Sequence, residues 1–373
     1  MVQKGRLSDP ASILKDRRLI FIFLAGLLLR LSLSVLIKDY EPDSYVRFSI
    51  GEQLAKNPFA IYSNNVFLPF FQYLVSFLIL LGGNPTSVRI MSAIAGSLTT
   101  VPVYKMSMLI SKTKRIADFC TILVALNPIL IVYSSLGISE SLFVLLLTLA
   151  IYLFVARRYA WATIPLTLAV LTRYESWILL PAILLFFVWK DRRFSSKKQI
   201  PILVSCIAVV SWLWVNKQYY NDPFFFLHNL GAVNLPYRFD VPTIWGVPES
   251  LRGAFGFALY PLIYPFMYVP ILWAAVYLRG ITEFKNSPSG SFMLLILIVY
   301  DAFLTTTQVL HANWGWGRHF LPLIPIYVVL GSACLRPSMS KRKLTVILVL
   351  YFLISAVLTY LQVRVESAFL NPT

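Results

Sequence analysis

Cysteine is scarce, three residues in 373. Cys120, Cys206 and Cys334 stand far apart in apolar segments, with no CxxC and no metal-ligand spacing. That pattern excludes a cysteine redox pair or cysteine metal site and reads as small buried hydrophobes. Acidic residues are few as well, 16 against 33 Lys and Arg. No internal repeat, low-complexity tract or long polar segment is visible, so there is no soluble domain. No A-x-A site follows the first apolar run, Leu19 to Ile37. That run contains Arg30 and leads straight into an acidic cluster, so it reads as a retained anchor rather than a cleaved signal.

Apolar residues are plentiful. They make up 58% of the chain, with a mean hydropathy of +0.72. A soluble domain cannot bury that much apolar surface, so the composition predicts a polytopic membrane protein. The net charge of +17 would suggest nucleic acid in a soluble protein. Its distribution says otherwise. Basic clusters recur in alternate loops: the N-terminal tail, Lys112–Arg115, Arg157 and Arg158, Lys190–Lys198, Arg279 and Lys285, and Arg336–Lys343. Few acids accompany them. The positive-inside rule makes these loops cytoplasmic, so the charge is a topology signal and nucleic acid is not an expected partner.

With the basic tail (residues 1–18) inside, the first helix leads outward and residues 38–85 form an external loop. Within it, Asp43–Lys56 reads as a short amphipathic helix with Val46, Ile50 and Leu54 on one face. Asn57-Pro58 ends it. Val66–Leu81 reads as an interfacial or re-entrant segment, because a span there would invert every later loop. Residues 159–190 read as a hairpin of two short apolar runs with LTRYESW at its turn. A second external loop, 217–253, is rich in Pro and aromatics. The expected fold is all-α: about 11 transmembrane helices in a single domain, residues 19–363, with an external tail at 364–373.

The unusual residues collect in the loops that charge alone assigns outside. They are Asp39, Glu41 and Asp43; Glu140; Arg173 and Glu175; and His311, Arg318 and His319. Two readings stand for Glu41 and Asp43. They cap the following helix, or they form a general-base or metal pair facing a hydroxyl. A cation in a broken apolar hairpin costs ~2.5–3.5 kcal/mol if deep. Arg173 therefore pairs with an anion, either Glu175 or a ligand phosphate, and Arg318 is treated alike. His311 and His319 bind metal or simply hydrogen-bond. Asp301, within a helix, reads as a paired structural acid or a pocket wall.

These stretches resemble a known group, the GT-C-type integral membrane glycosyltransferases that use polyprenyl-phosphate sugars. YEPDSYVRF is similar to the first acidic motif of the oligosaccharyltransferase catalytic subunit. It is placed like the Asp-Glu motif of protein O-mannosyltransferases and the aminoarabinose lipid A transferase. SSLGISESLFVLLL resembles the segment opening the fourth helix there, with Glu140 at the acid. LTRYESWILLP and GRHFLPLIPIYVVLGS resemble the Lys/Arg hairpin and the late Arg-aromatic-Leu-Pro stretch. No WWDYG-like motif occurs, which argues against oligosaccharyltransferase activity.

The resemblance implies a GT-C fold and a hexosyltransferase in the cell membrane, with an extracytoplasmic active site and a cytoplasmic N-terminus. It implies a dolichyl- or undecaprenyl-phosphate hexose donor, mannose favoured, and a lipid, glycan or protein acceptor, with membrane lipids as surroundings. Asp43 would be the general base of an inverting displacement, favoured by position over Glu41, and Glu41 and Glu140 would orient the acceptor. Arg173, Arg318, Glu140, Glu175, Tyr45 and His319 would bind donor and substrate. Mg or Mn assistance stays open beside metal-independent transfer, with Asp43, Glu41 and His311 as candidate ligands. A polytopic transporter or flippase of lipid-linked sugars is the alternative. It would spread its charges across the membrane depth and show related halves.

Overall fold

The structure, a computed structural model, describes residues 16–36, 42–60, 67–192, 196–228, 264–309, 317–334 and 340–370. Asp39, Glu41, His311 and most of the 217–253 loop lie outside them. Among the described residues every regular element is helical. α1 (Arg17–Leu36) is followed by the packed pair α2 (Pro42–Lys56) and α3 (Pro69–Leu80). Then come α4 (Pro85–Leu98), α5 (Thr100–Ser111), α6 (Lys114–Ala125), α7 (Pro128–Ser134) and α8 (Glu140–Val155). α9 (Tyr159–Val170) and α10 (Leu179–Asp191) form the expected hairpin, and α11 (Ser196–Tyr220) follows. After the gap run α12 (Pro270–Ala275), α13 (Ile281–Phe284), α14 (Pro288–Val309), α15 (Ile324–Ala333) and α16 (Lys341–Leu370).

Local chemistry sets the boundaries. Pro stands at the first turn of α3, α4 and α7, where its missing N–H costs nothing. Asn84 caps α4 in a reciprocal pair with Ser87. Asn127 accepts from the Leu130 N–H at 3.0 Å and opens α7. The Asn127-Pro128 step breaks α6 from α7 by 50°.

Five helices are long and apolar enough to cross a bilayer: α1, the α4–α5 run, α11, and most of α14 and α16. The bent α6–α7 pair makes a sixth. The all-α, multi-pass class is as expected, but a count of 11 spans is not established. α8 shows why: its 16 residues rise only ~24 Å at 1.5 Å each, against ~30 Å of hydrocarbon. α8 and α15 are buried nearly all round, as core helices are. α1, α11 and α16 instead present exposed Phe21, Leu28, Val210, Trp214, Leu353 and Val357, the faces that lipid covers.

The short helix α2 corrects the sequence reading in one respect. Val46 is 47% exposed. The inward face carries Asp43, Arg47, Ile50 and Leu54, and the last two pack with Leu68 and with Trp212 of α11. That contact fixes α2 over the bundle with its first turn beside the start of α8.

Candidate active site

Four separate stretches meet at one end of the bundle. The first turn of α2 brings Asp43, and α8 begins on Glu140. Gly137, at φ +72°, makes the turn before α8, a conformation that suits glycine. Between α9 and α10 the backbone of Arg173 is extended, and a 3₁₀ turn, Tyr174–Ser176, folds Glu175 back beside it. Two bonds hold that turn: Ser176 Oγ donates to the Arg173 carbonyl at 2.7 Å, and Trp177 Nε1 to the Val170 carbonyl at 2.9 Å. A second 3₁₀ segment, Gly317–Leu323, delivers Arg318 and His319 just before α15.

The side chains form one continuous network. Arg173 Nη1 lies 2.6 Å from Glu140 Oε1. Its Nη2 and Nε both donate to Glu175 Oε1, at 2.7 and 3.1 Å. Arg318 Nη2 donates to Asp43 Oδ2 at 2.8 Å, and its Nε stands 3.6 Å from Glu140 Oε1. His319 Nδ1 sits 2.6 Å from Glu175 Oε1 and 2.9 Å from Arg173 Nη2, so its tautomer decides which of them it serves. The Tyr300 hydroxyl of α14 donates to the His319 carbonyl at 3.2 Å. Burial by itself would raise the Glu175 carboxyl. The Arg173 charge and the His319 and Arg173 hydrogen bonds outweigh it and hold Glu175 well below the usual carboxylate range. Glu175 therefore stays ionised and serves as a fixed anion rather than a proton carrier.

Six sequence candidates, Asp43, Glu140, Arg173, Glu175, Arg318 and His319, are thus brought together. Tyr45, two residues beyond Asp43, turns to another face of α2. There it lines a crevice with Phe48, Val88, Arg89 and Leu136. Asp301 accepts from the Tyr277 hydroxyl at 3.2 Å. Glu41 and His311 fall outside the described residues. Among the described residues no group of three or more His, Cys, Asp or Glu is arranged to hold a metal. Asp43 faces a guanidinium instead, a poor setting for a second cation.

Sequence reasoning did not single out Arg47. It is 5% exposed, one turn below Asp43, with its guanidinium 4.1 Å from the Phe67 ring. Its Nη1 reaches the Gln72 amide oxygen at 3.0 Å once that amide is turned to match. Its Nε and Glu140 Oε2 are buried with no hydrogen-bond partner among the described residues. The signal was the i, i+4 spacing to Asp43, which puts both on one helix face.

Solved structures with the same architecture give the class. The oligosaccharyltransferase of Archaeoglobus fulgidus, in its apo form, is 15% identical with a TM-score of 0.58. The match covers 96% of this chain and 57% of that one. ArnT from Cupriavidus metallidurans, bound to undecaprenyl phosphate, is 15% identical with a TM-score of 0.63, over 88% of this chain and 62% of that one. The chain has the GT-C fold of integral membrane proteins, and it spans about three fifths of the length of these two structures. More narrowly, residues 67–214 match the family described as dolichyl-phosphate-mannose-protein mannosyltransferase. No curated protein gives a significant match.

Proposed function

We propose that the protein is a membrane glycosyltransferase that moves a hexose, mannose first among them, from a polyprenyl phosphate to a hydroxyl of a lipid, glycan or protein. One observation carries this reading: three acids, two arginines and a histidine from four distant stretches converge at one end of an apolar bundle. The family name matched by residues 67–214 supports the sugar. A fold neighbour bound to undecaprenyl phosphate supports the carrier. Because the basic clusters mark the opposite end as cytoplasmic, the site faces outward. Nucleotide sugars are cytoplasmic, so transfer there requires a lipid-linked donor.

The geometry supports the following roles. The acceptor hydroxyl gives its proton to Asp43 as its oxygen attacks the anomeric carbon. The bond from that carbon to the phosphate oxygen breaks, and polyprenyl phosphate leaves with the electron pair, inverting the centre. A phosphate needs little acid help to depart, only a cation to hold its charge. Arg318, whose shortest ion pair is with the partly exposed Asp43, serves as that cation. Arg173 has all three guanidinium nitrogens occupied, so it fixes Glu140 and Glu175, and Glu140 orients the acceptor. The lipid tail lies along the apolar helices, within one domain spanning residues 19–363.

Purified protein incubated with labelled polyprenyl-phosphate mannose, glucose or other hexoses and with membrane lipid extracts tests the proposal. Label should move to an acceptor from one donor. Transbilayer movement of the donor without any transfer would favour the transporter instead.

A further inference from the structure

The ion pairs of the site are not equivalent. Arg173 is committed to two acids whose side chains are 3% and 10% exposed, Glu140 and Glu175. Withdrawing it would strand both carboxylates away from water. Arg318 is held mainly by Asp43, at 2.8 Å, and Asp43 is 30% exposed. Of the three acids, Asp43 alone can lose its cation and be solvated instead. Among the described residues the network is also balanced in charge: Asp43, Glu140 and Glu175 against Arg47, Arg173 and Arg318. A donor phosphate brings further negative charge into this set, and a guanidinium must be found for it.

We infer that Arg318 is exchanged between Asp43 and the donor phosphate: in the free protein the Asp43 carboxylate occupies the phosphate's place on Arg318, and donor binding releases it. This rests on the polyprenyl-phosphate donor proposed above and adds an order to it. While Asp43 Oδ2 accepts from Arg318, part of the carboxylate's hydrogen-bonding capacity is spent on the guanidinium and its orientation is set by it. Once phosphate oxygens take over Arg318 in a charge-assisted contact, both Asp43 oxygens can turn to the acceptor. The swap keeps each charge satisfied: phosphate on Arg318, Asp43 on water or on the incoming hydroxyl.

Full-length protein in nanodiscs, titrated with sugar-free undecaprenyl phosphate, tests the exchange. Asp43→Asn removes the competing charge, so it should bind the lipid about tenfold more tightly than wild type, the worth of a charge-assisted hydrogen bond. Arg318→Gln should bind it at least tenfold more weakly. Carbodiimide labelling of Asp43 in wild type, read by peptide mass spectrometry, should rise when the lipid is added. In Arg318→Gln it should be high without lipid. If wild type binds but folded Asp43→Asn binds no better, or Asp43 labelling does not rise, the exchange is wrong and the donor reading survives. If wild type binds no polyprenyl phosphate at all, both fall together.

Discussion

Arg30 and Arg173 are both buried arginines of one helical bundle, and different chemistry satisfies them. Arg30 is 0% exposed, and among the described residues its partners are neutral. Nε donates to Ser134 Oγ at 2.9 Å, Nη1 to the Gly26 and Ala125 carbonyls at 3.0 and 2.7 Å, and Nη2 to Val124 at 3.4 Å. Val124 and Ala125 end α6, where the Asn127-Pro128 break leaves carbonyls without helical partners at the negative end of the helix dipole. Arg30 closes that break. Gly26 and Gly96 make room for it, since a Cβ on either would stand 3.1 Å from the guanidinium. Arg173 is instead held by Glu140 and Glu175. A cation caged by backbone carbonyls has one arrangement. A cation among carboxylates belongs to a network, and this one includes a partly exposed pair, Arg318 and Asp43, whose partners can be traded. Burial of an arginine therefore does not mark a site. The nature of its acceptors does.

Arg173→Met tests that contrast most severely. It leaves Glu140 and Glu175 without their cation, a loss of ~3–5 kcal/mol for a broken buried pair, visible as a large drop in thermal unfolding temperature. Adding Glu175→Gln should restore part of it. An Arg173→Met protein as stable as wild type would erase the distinction. Asp43→Asn comes next. Asp43 stands in the first turn of α2 rather than at its cap, so loss of its charge should cost the helix only ~0.3–1 kcal/mol, and folding should survive while labelled-sugar transfer falls by ~10²–10⁴-fold. Near-normal turnover would reduce Asp43 to a partner of the helix dipole. Arg30→Met should cost ~1–3 kcal/mol by orphaning carbonyls, with turnover per folded molecule unchanged. A selective loss of turnover would make Arg30 part of the site. Tyr45→Phe should shift stability and donor binding by no more than ~0.5 kcal/mol, because its ring lies in the crevice beside Arg89 and Leu136, on a face of α2 turned from Asp43. A larger change would extend the site toward Arg89.

Much of this site could be read from the sequence, for a physical reason. Charges in a chain this apolar are costly, so each one outside the basic loops asks for an explanation, and Asp43, Glu140, Arg173, Glu175, Arg318 and His319 all received one. The LTRYESW hairpin was legible because basic residues flank both arms. The pairing itself was not: nothing in the sequence says that Glu140 goes to Arg173 rather than to Arg47. Arg47 escaped because the face of α2 was traced through apolar residues only. That trace chose Val46, Ile50 and Leu54, whereas the inward line runs Asp43, Arg47, Ile50, Leu54, the last three of them buried. A polar residue on a buried face is invisible to a hydrophobic pattern. The number of spans was uncertain for a similar reason, since α3, α8 and α9 are apolar but short.

The spacing of Arg173 and Glu175 bears on how the protein enters the bilayer. They stand two residues apart and bind each other bidentately within a single turn. The α9–α10 hairpin therefore carries its own counter-ion and can insert as a neutral unit, sparing the ~2.5–3.5 kcal/mol that a lone buried charge demands. Asp43, Arg47 and Glu140 precede it along the chain, and Arg318 follows much later. Until Arg318 is synthesised, the nascent protein holds three of these acids and two of their arginines, and it sits in the membrane with one carboxylate still waiting for its cation.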